Sequence, residues 1–246
     1  MKNHQHVGKT DEFHLHTTVT PRPSGPVVVL APGTFDYHTD FRYLEEPFKD
    51  AGIGLSIIEF VPAVEAESVH PVVYRANVCR EALLTVYANN YRPIPAGTCS
   101  GSSMMGALFG IRPRDGFPHE LPSPLRARDR LPLLMLGPQP PQMAELDESS
   151  WDDFVVGSLL SVIADKDFAW LGAELSDLAM ADQKVQCQRK ELIVLQDAGH
   201  AAFNDAEPPR YPALPRDPEH HGIIADAIIS WLELLGYIEP HEKGEA

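Results

Sequence analysis

The chain has 246 residues, 43% of them hydrophobic, which is enough for one domain with a full core. Its 35 acidic residues outnumber its 20 basic residues, and the formal net charge of −15 argues against nucleic acid as a partner, because such a surface repels phosphate. No stretch has the length of a membrane span, and the first residues lack the apolar segment of a secretory signal, so we expect a cytoplasmic protein without membrane contact.

Short apolar segments alternate with longer segments of helical periodicity. The predicted strands, the first of them an edge strand, are residues 12–20, 26–30, 53–60, 91–96, 131–136, 159–164 and 192–195. The predicted helices are residues 41–48, 67–89, 102–110, 170–181 and 223–236. This alternation predicts an α/β fold with a mostly parallel central sheet and helices on both faces. Right-handed crossovers then bring the C-terminal ends of the parallel strands to one edge, where ligands bind.

The domain organisation follows from the same pattern. We expect residues 1–246 to form a single domain, with a flexible tail at residues 1–11 and a second tail at residues 239–246. The Pro-rich stretches are typical of ordered connections between elements and not of domain linkers. Residues 138–157, which contain Met143, Trp151 and Phe154, are a candidate for a small cap over the pocket, as the family resemblance given below implies.

The three cysteines are Cys79, Cys99 and Cys187. They are odd in number and far apart, and none belongs to a Cys-x-x-Cys or Cys/His cluster of the kind that binds zinc. Free thiols in a reducing compartment fit this pattern best. We therefore expect neither a disulfide nor a metal site.

A nucleophile motif follows the predicted strand at 91–96 and reads Gly97-Thr98-Cys99-Ser100-Gly101. In a nucleophile elbow the reactive side chain occupies a strained turn between a strand and a helix. The residues two positions before and after it come close together, so they must be small, and here both are glycine. Because Cys99 would also begin a helix, the positive end of the helix dipole favours a thiolate there. Cys99 is therefore the candidate nucleophile.

Two alternatives to this assignment remain open. Ser100 is a second candidate nucleophile, flanked at the same spacing by Thr98 and Ser102, which are bulkier than glycine. Cys99 could also be a buried structural thiol in a glycine-rich turn, since free cysteines are often core residues.

The base and the acid follow in the order that this kind of elbow uses, nucleophile, acid and then base. His200 comes directly after Gly199, past the end of the predicted strand at 192–195, and this strand context distinguishes it from the other histidines. Asp167 lies just past the end of the preceding strand and is the candidate that orients the imidazole. Asp165 is the competing candidate for that role.

The oxyanion hole is expected at two backbone positions. The N–H of Ser100, at the start of the predicted helix, would point at a developing oxyanion. A second N–H would come from Thr34, because Pro32-Gly33-Thr34 follows the buried strand at 26–30 and Gly33 allows close backbone approach. An ordinary Pro-Gly turn is the alternative.

These motifs resemble the dienelactone hydrolase family of the α/β-hydrolase superfamily, over about residues 25–238. The segment around Cys99 is similar to the Gly-x-Cys-x-Gly elbow of that family, and the segment from Ala198 to Asp205 is similar to the stretch around its catalytic histidine. The resemblance implies cleavage of an ester, lactone or enol-lactone by a Cys-His-Asp triad, without a cofactor or a metal. Dienelactone hydrolases carry a Glu in the oxyanion loop, whereas this chain aligns Gly33 there, which puts dienelactone itself in doubt as the substrate.

Other functions use the same residues. A thiol acyl-enzyme also suits a thioesterase or an acyltransferase, and a protein of another class, a non-catalytic binding protein, could keep the fold without the chemistry. We expect a small-molecule substrate. The arginine-rich stretch at 111–130 could steer an anionic one, although a solvated loop explains that stretch as well. The sequence does not define the oligomeric state.

Overall fold

The computed structural model describes residues 5–10, 13–33, 36–61, 71–111, 125, 128–138, 154–167, 179–205 and 218–240. The strands in these ranges are β1 (Gln5–Thr10), β2 (Phe13–Val19), β3 (Pro26–Ala31), β4 (Gly54–Phe60), β5 (Arg92–Thr98), β6 (Pro132–Leu136), β7 (Ser158–Ala164) and β8 (Arg189–Leu195). They form one eight-stranded sheet in the order β1-β2-β4-β3-β5-β6-β7-β8. The first two strand pairings in this order are antiparallel and the other five are parallel, which confirms the mostly parallel sheet.

Helices connect the parallel strands. The α-helices in the described ranges are α1 (Glu45–Ala51), α2 (Pro71–Ala88), α3 (Ser100–Ala107), α4 (Met180–Lys184) and α5 (Pro218–Leu234). Short 3₁₀ turns lie at His38–Leu44, Arg128–Arg130 and His200–Phe203. The part of the predicted helix at 170–181 that precedes Ala179 lies outside the described residues. None of the described helices is long and apolar enough to cross a bilayer.

Two hydrophobic clusters cover the two faces of the sheet. Val27 and Val29 of β3 pack into the cluster that α2 and α3 cover, whereas Val28 and Leu30 pack into the other, which contains Trp231 of α5. All six residues of β3 are buried, because a parallel strand with helices on both sides exposes neither face. The prediction of helices on both faces is therefore confirmed.

Two strands differ from the sequence prediction. The chain forms β1 within the segment assigned to the N-terminal tail, and β1 pairs with β2, so β2 is not the edge strand. β5 is central although it contains Pro93 and Pro95, which cannot donate to a ladder. The prolines fit because β6 pairs only with residues 96–98 of β5, so that the Pro-containing part has β3 as its described neighbour.

The candidate cap at 138–157 is described only in part. Residues 139–153 lie outside the described residues, and so do residues 112–124 of the arginine-rich stretch. Phe154, at the end of the candidate cap, is fully buried in the cluster that α2 and α3 cover. Phe154 is therefore a core residue.

Candidate active site

Cys99 occupies a sharp turn between β5 and α3. Thr98 is the last residue of the strand and Ser100 is the first of the helix. Cys99 has φ 50° and ψ −125°, a conformation that costs energy for any residue with a Cβ and that clusters at functional sites. Its N–H donates to the carbonyl oxygen of Leu136 at 3.1 Å, which anchors the turn to β6. The sheet thus holds Cys99 at the edge where its parallel strands end.

The two glycines beside Cys99 are required by close backbone contacts. A Cβ on Gly97 would lie 2.4 Å from the carbonyl carbon of Gly101, and a Cβ on Gly101 would lie 2.0 Å from the carbonyl oxygen of Ala31. Both distances are far below van der Waals contact, and the partners are backbone atoms, which cannot turn aside. The turn therefore has its present form because positions 97 and 101 carry no side chain.

Replacing Gly101 by alanine tests this packing. We expect Gly101→Ala to lower the free energy of unfolding by roughly 2–3 kcal/mol or more, because the added methyl group must displace Ala31 and with it the end of β3. Gly222→Ala is the matched control, since a Cβ there meets nothing within 4 Å and alanine favours the α5 helix by up to ~1 kcal/mol. Urea unfolding measures both. Equal stability of Gly101→Ala and the wild type would contradict the contact.

His200 joins Cys99 to Asp167. His200 begins the 3₁₀ turn His200–Phe203, directly after Gly199, and its Nδ1 lies 2.9 Å from Oδ2 of Asp167, which follows β7. The Cys99 thiol is the second neighbour that acts on the imidazole and raises its pKa. Both His200 and Asp167 are buried, with exposed fractions of 4% and 0%. Residues from three separate segments of the chain therefore meet at one site: thiol, imidazole and carboxylate.

The surroundings of His200 favour its protonated form. Burial alone lowers the pKa of the imidazole, but the hydrogen bonds and charges of Asp167 and Cys99 outweigh it and raise this pKa to about 10. The usual pKa of a histidine is near 6.5. An imidazolium at neutral pH is the partner that a cysteine thiolate needs.

Asp165 has a different role from Asp167. Its Oδ1 accepts a hydrogen bond from the N–H of Ala198 at 3.0 Å, and its own N–H donates to the carbonyl oxygen of Leu195. Asp165 thus ties the end of β7 to the end of β8. Lys166 forms an ion pair with Asp197 on the surface. Of the two aspartates that the sequence left open, Asp167 is the one that contacts His200.

The turn after β3 lies against Cys99. A Cβ on Gly33 would be 2.9 Å from the Cβ of Cys99, so that only glycine allows this approach. Ser100 is the first residue of α3, directly after Cys99, and its role as an oxyanion donor stays a prediction. Thr34, the other expected oxyanion donor, lies outside the described residues, and its role stays a prediction.

Asp36 connects the three segments of the site, and the sequence reasoning missed it. Its Oδ2 accepts hydrogen bonds from the N–H of Gly33 at 3.0 Å and from the Thr98 hydroxyl at 3.3 Å. Its Oδ1 accepts one from the Asn204 side-chain amide at 3.3 Å. An Asp three residues after a Pro-Gly turn is a weak local signal, and its partners Thr98 and Asn204 are distant in sequence.

The segment after His200 is fixed by Tyr43. The Tyr43 hydroxyl donates to the carbonyl oxygen of Phe203 at 3.2 Å, and its ring stacks on His221 with centroids 4.1 Å apart. Burial, followed by the nearby carboxylates of Asp205 and Asp36, raises the pKa of Tyr43, so that the phenol keeps its proton and its donor role. These contacts hold the 3₁₀ turn that presents His200.

The other two cysteines have the surroundings of structural thiols. Cys79 is fully buried in the core on α2, and burial raises its pKa to about 12 although Arg75 opposes the change. Burial also raises the pKa of Cys187. All three cysteines are free thiols, and Cys99 is the one with an imidazole partner.

No protein-family model matches this sequence. No curated protein matches it either. Solved structures do match: esterase 2 of the planctomycete Thermogutta terrifontis aligns with a TM-score of 0.63 and 14% identity, over 99% of this chain and 95% of the esterase. The same esterase phosphorylated by paraoxon gives a TM-score of 0.63 and 14% identity, over 97% of this chain and 96% of that one.

A dienelactone hydrolase from Anabaena variabilis ATCC 29413 aligns equally well, with a TM-score of 0.63 and 14% identity over 97% of this chain and 99% of the other. Identities this low show the fold and leave the reaction open. Together with the strand order and the turn at Cys99, these alignments over nearly the whole length show that the chain has the α/β-hydrolase fold.

Proposed function

We propose that this protein is a hydrolase that cleaves an ester, lactone or related activated carbonyl, with Cys99 as the nucleophile, His200 as the acid and base, and Asp167 as the residue that orients His200. The observation that carries the proposal is the buried group of Cys99, His200 and Asp167 at the strained turn, in which His200 bonds Asp167 and Cys99 raises the pKa of its imidazole. The fold adds support, because its solved neighbours are named an esterase and a dienelactone hydrolase.

The first half of the reaction forms an acyl-enzyme. The Cys99 thiolate attacks the carbonyl carbon of the ester, and the carbonyl oxygen becomes an oxyanion. The N–H of Ser100 holds this oxyanion, together with that of Thr34 on the sequence prediction, and one such donor contributes up to ~3–4 kcal/mol of transition-state stabilisation. His200, protonated at neutral pH, then gives its proton to the leaving alcohol oxygen as the carbon–oxygen bond breaks. A thioester on Cys99 remains.

The second half releases the acid. His200, now neutral, accepts a proton from a water molecule while the water oxygen attacks the thioester carbon. The bond from carbon to Sγ of Cys99 breaks, and the thiolate and the imidazolium return to their starting state. Asp167 supports each proton transfer because its bond to Nδ1 leaves Nε2 of the ring for Cys99 and the substrate. The sum is ester plus water giving acid plus alcohol.

Turnover of defined substrates by the wild-type protein tests the proposal. We expect release of p-nitrophenol from p-nitrophenyl acetate and butyrate with saturation kinetics, faster than in the presence of heat-denatured protein at the same concentration. Acetyl-CoA as a competing substrate tests for thioesterase activity, and a primary alcohol as a competing acceptor tests for acyltransferase activity. A higher kcat/KM for the thioester, or ester product formed from the alcohol, would replace hydrolase by thioesterase or acyltransferase. Absence of turnover with all of them would favour a binding protein.

A further inference from the structure

A cluster of imidazoles lies where β2 pairs with β4, and it includes none of Cys99, His200 and Asp167. His14 and His16 are two residues apart on β2, so they share a face of the sheet, and their rings meet edge to face with centroids 6.2 Å apart. His38, at the start of the 3₁₀ turn after the Gly33 turn, stacks on His16 with centroids 3.9 Å apart. Glu59 of β4 forms a hydrogen bond with Nε2 of His16.

The members of this cluster are brought together by the fold. Strand pairing sets His14 opposite Glu59, and the path of the chain from β3 to α1 carries His38 over His16. The sequence predicted no metal site because it contains no Cys-x-x-Cys or Cys/His cluster, and His16, His38 and Glu59 are far apart in the chain. The catalytic residues do not include them, and nothing in the proposed reaction requires them.

The donor atoms have the spacing of a metal site. One ligand atom each from His16, His38 and Glu59 lies within 4.8 Å of the other two. Tetrahedral zinc, with bonds of about 2.0–2.1 Å to nitrogen or oxygen, places its ligand atoms roughly 3.3 Å apart. In the structure the rings of His16 and His38 are stacked and Nε2 of His16 bonds Glu59, so zinc binding would require these side chains to rotate towards a common centre.

The donor types and their exposure also suit zinc. Two imidazoles and one carboxylate are a recurrent zinc set, with the fourth position left to water or to another ligand such as His14. The side chain of Glu59 is 40% exposed and that of His16 is 14% exposed, so an ion reaches the cluster from solvent. Metal is bound by neutral imidazoles and by ionised carboxylates, which are the usual forms of free histidine and glutamate near pH 7.5.

We propose that His16, His38 and Glu59 bind one Zn²⁺ ion. The ion would tie the 3₁₀ turn His38–Leu44 to β2 and β4. His38 is two residues from Asp36, whose carboxylate holds Gly33, Thr98 and Asn204. The bound metal would therefore act as a structural clamp on the segment that leads from the Gly33 turn to α1. This site is independent of the proposed hydrolase activity.

Titration of the full-length, chelator-treated protein with ZnCl₂ at pH 7.5, followed by calorimetry, tests the site. We expect saturable binding of about one equivalent per chain, at least tenfold weaker in both Glu59→Gln and His38→Gln. Glu81→Gln is the matched control for Glu59→Gln, because Glu81 is an exposed carboxylate on α2 and does not belong to the cluster. That variant is expected to bind like the wild type. Circular dichroism establishes that each variant is folded.

A second readout separates specific binding from loose association. At roughly 100-fold excess over Kd, zinc is expected to raise Tm by about 5 °C or more in the wild type and by clearly less in Glu59→Gln. Co²⁺ at the same site is expected to show visible absorption bands, lost in His38→Gln. The proposal is overturned by an absence of saturable binding, by equal affinity in Glu59→Gln, His38→Gln and the wild type, or by an equal loss of affinity in Glu81→Gln.

Discussion

Replacing Cys99 by alanine is expected to lower kcat/KM for p-nitrophenyl acetate by about 10³-fold or more, because the variant cannot form the thioester that divides the reaction into two easier steps. What remains is the catalysis that oxyanion stabilisation and binding supply. The rate of p-nitrophenol release from p-nitrophenyl acetate at pH 7.5 measures the loss. Circular dichroism checks that the variant is folded. Cys99→Ser, which has nearly the same shape as the wild type, is a second variant for the same assay.

Cys187→Ala is the matched control for this experiment. Cys187 is a partly buried thiol beside β8, and burial raises its pKa, so its removal is expected to leave kcat/KM within about twofold of the wild type. Wild-type turnover by Cys99→Ala would remove Cys99 from the mechanism and move attention to Ser100, its neighbour at the start of α3.

The second large effect is expected from Asp167→Asn. An amide in place of the carboxylate keeps the shape but favours the wrong tautomer of His200, and a loss of about 10³–10⁴-fold in kcat is expected. The Asp167 carboxylate also helps to raise the pKa of His200 to about 10, so the variant lowers that pKa. The imidazolium is then lost at lower pH, and we expect the alkaline limb of the kcat/KM profile to move to lower pH.

Asp165→Asn is the matched control for Asp167→Asn. Asp165 is two residues away and bonds the N–H of Ala198, an interaction that an Asn oxygen can also accept. We expect activity within a few-fold of the wild type and an unchanged pH profile. An equal loss of activity in the two variants would contradict a specific role for Asp167 and indicate that both changes act by disturbing the ends of β7 and β8.

The fold could be predicted because its signals are local. The buried strand β3 is a continuous run rich in β-branched residues, and the glycines at 97 and 101 mark a turn whose backbone contacts permit nothing larger. β1 was not predicted, since its sequence, Gln5–Thr10, has no apolar alternation and its pairing with β2 defines it. The prolines of β5 weakened its prediction, yet the incomplete pairing with β6 accommodates them.

The site was predictable to the extent that it depends on strand ends. His200 and Asp167 follow the ends of neighbouring parallel strands, and such ends meet at one edge of the sheet. Asp165 and Asp167 are two residues apart and both follow β7, so the sequence alone does not distinguish them. The contact of Asp167 with His200 in the structure does. Asp36 and the cluster of His16, His38 and Glu59 depend on contacts between distant segments, which no periodicity or motif encodes.

The most direct test of the central claim is to trap the acyl group. The wild-type protein is mixed with p-nitrophenyl acetate and quenched in acid within one turnover, then digested and sequenced by tandem mass spectrometry, with and without neutral hydroxylamine. An acetyl group on Cys99 that hydroxylamine removes is the result that we predict, since thioesters are cleaved by it under conditions that leave ordinary esters intact. An acetyl group on Ser100, or on another residue with Cys99 unmodified, would contradict a cysteine nucleophile.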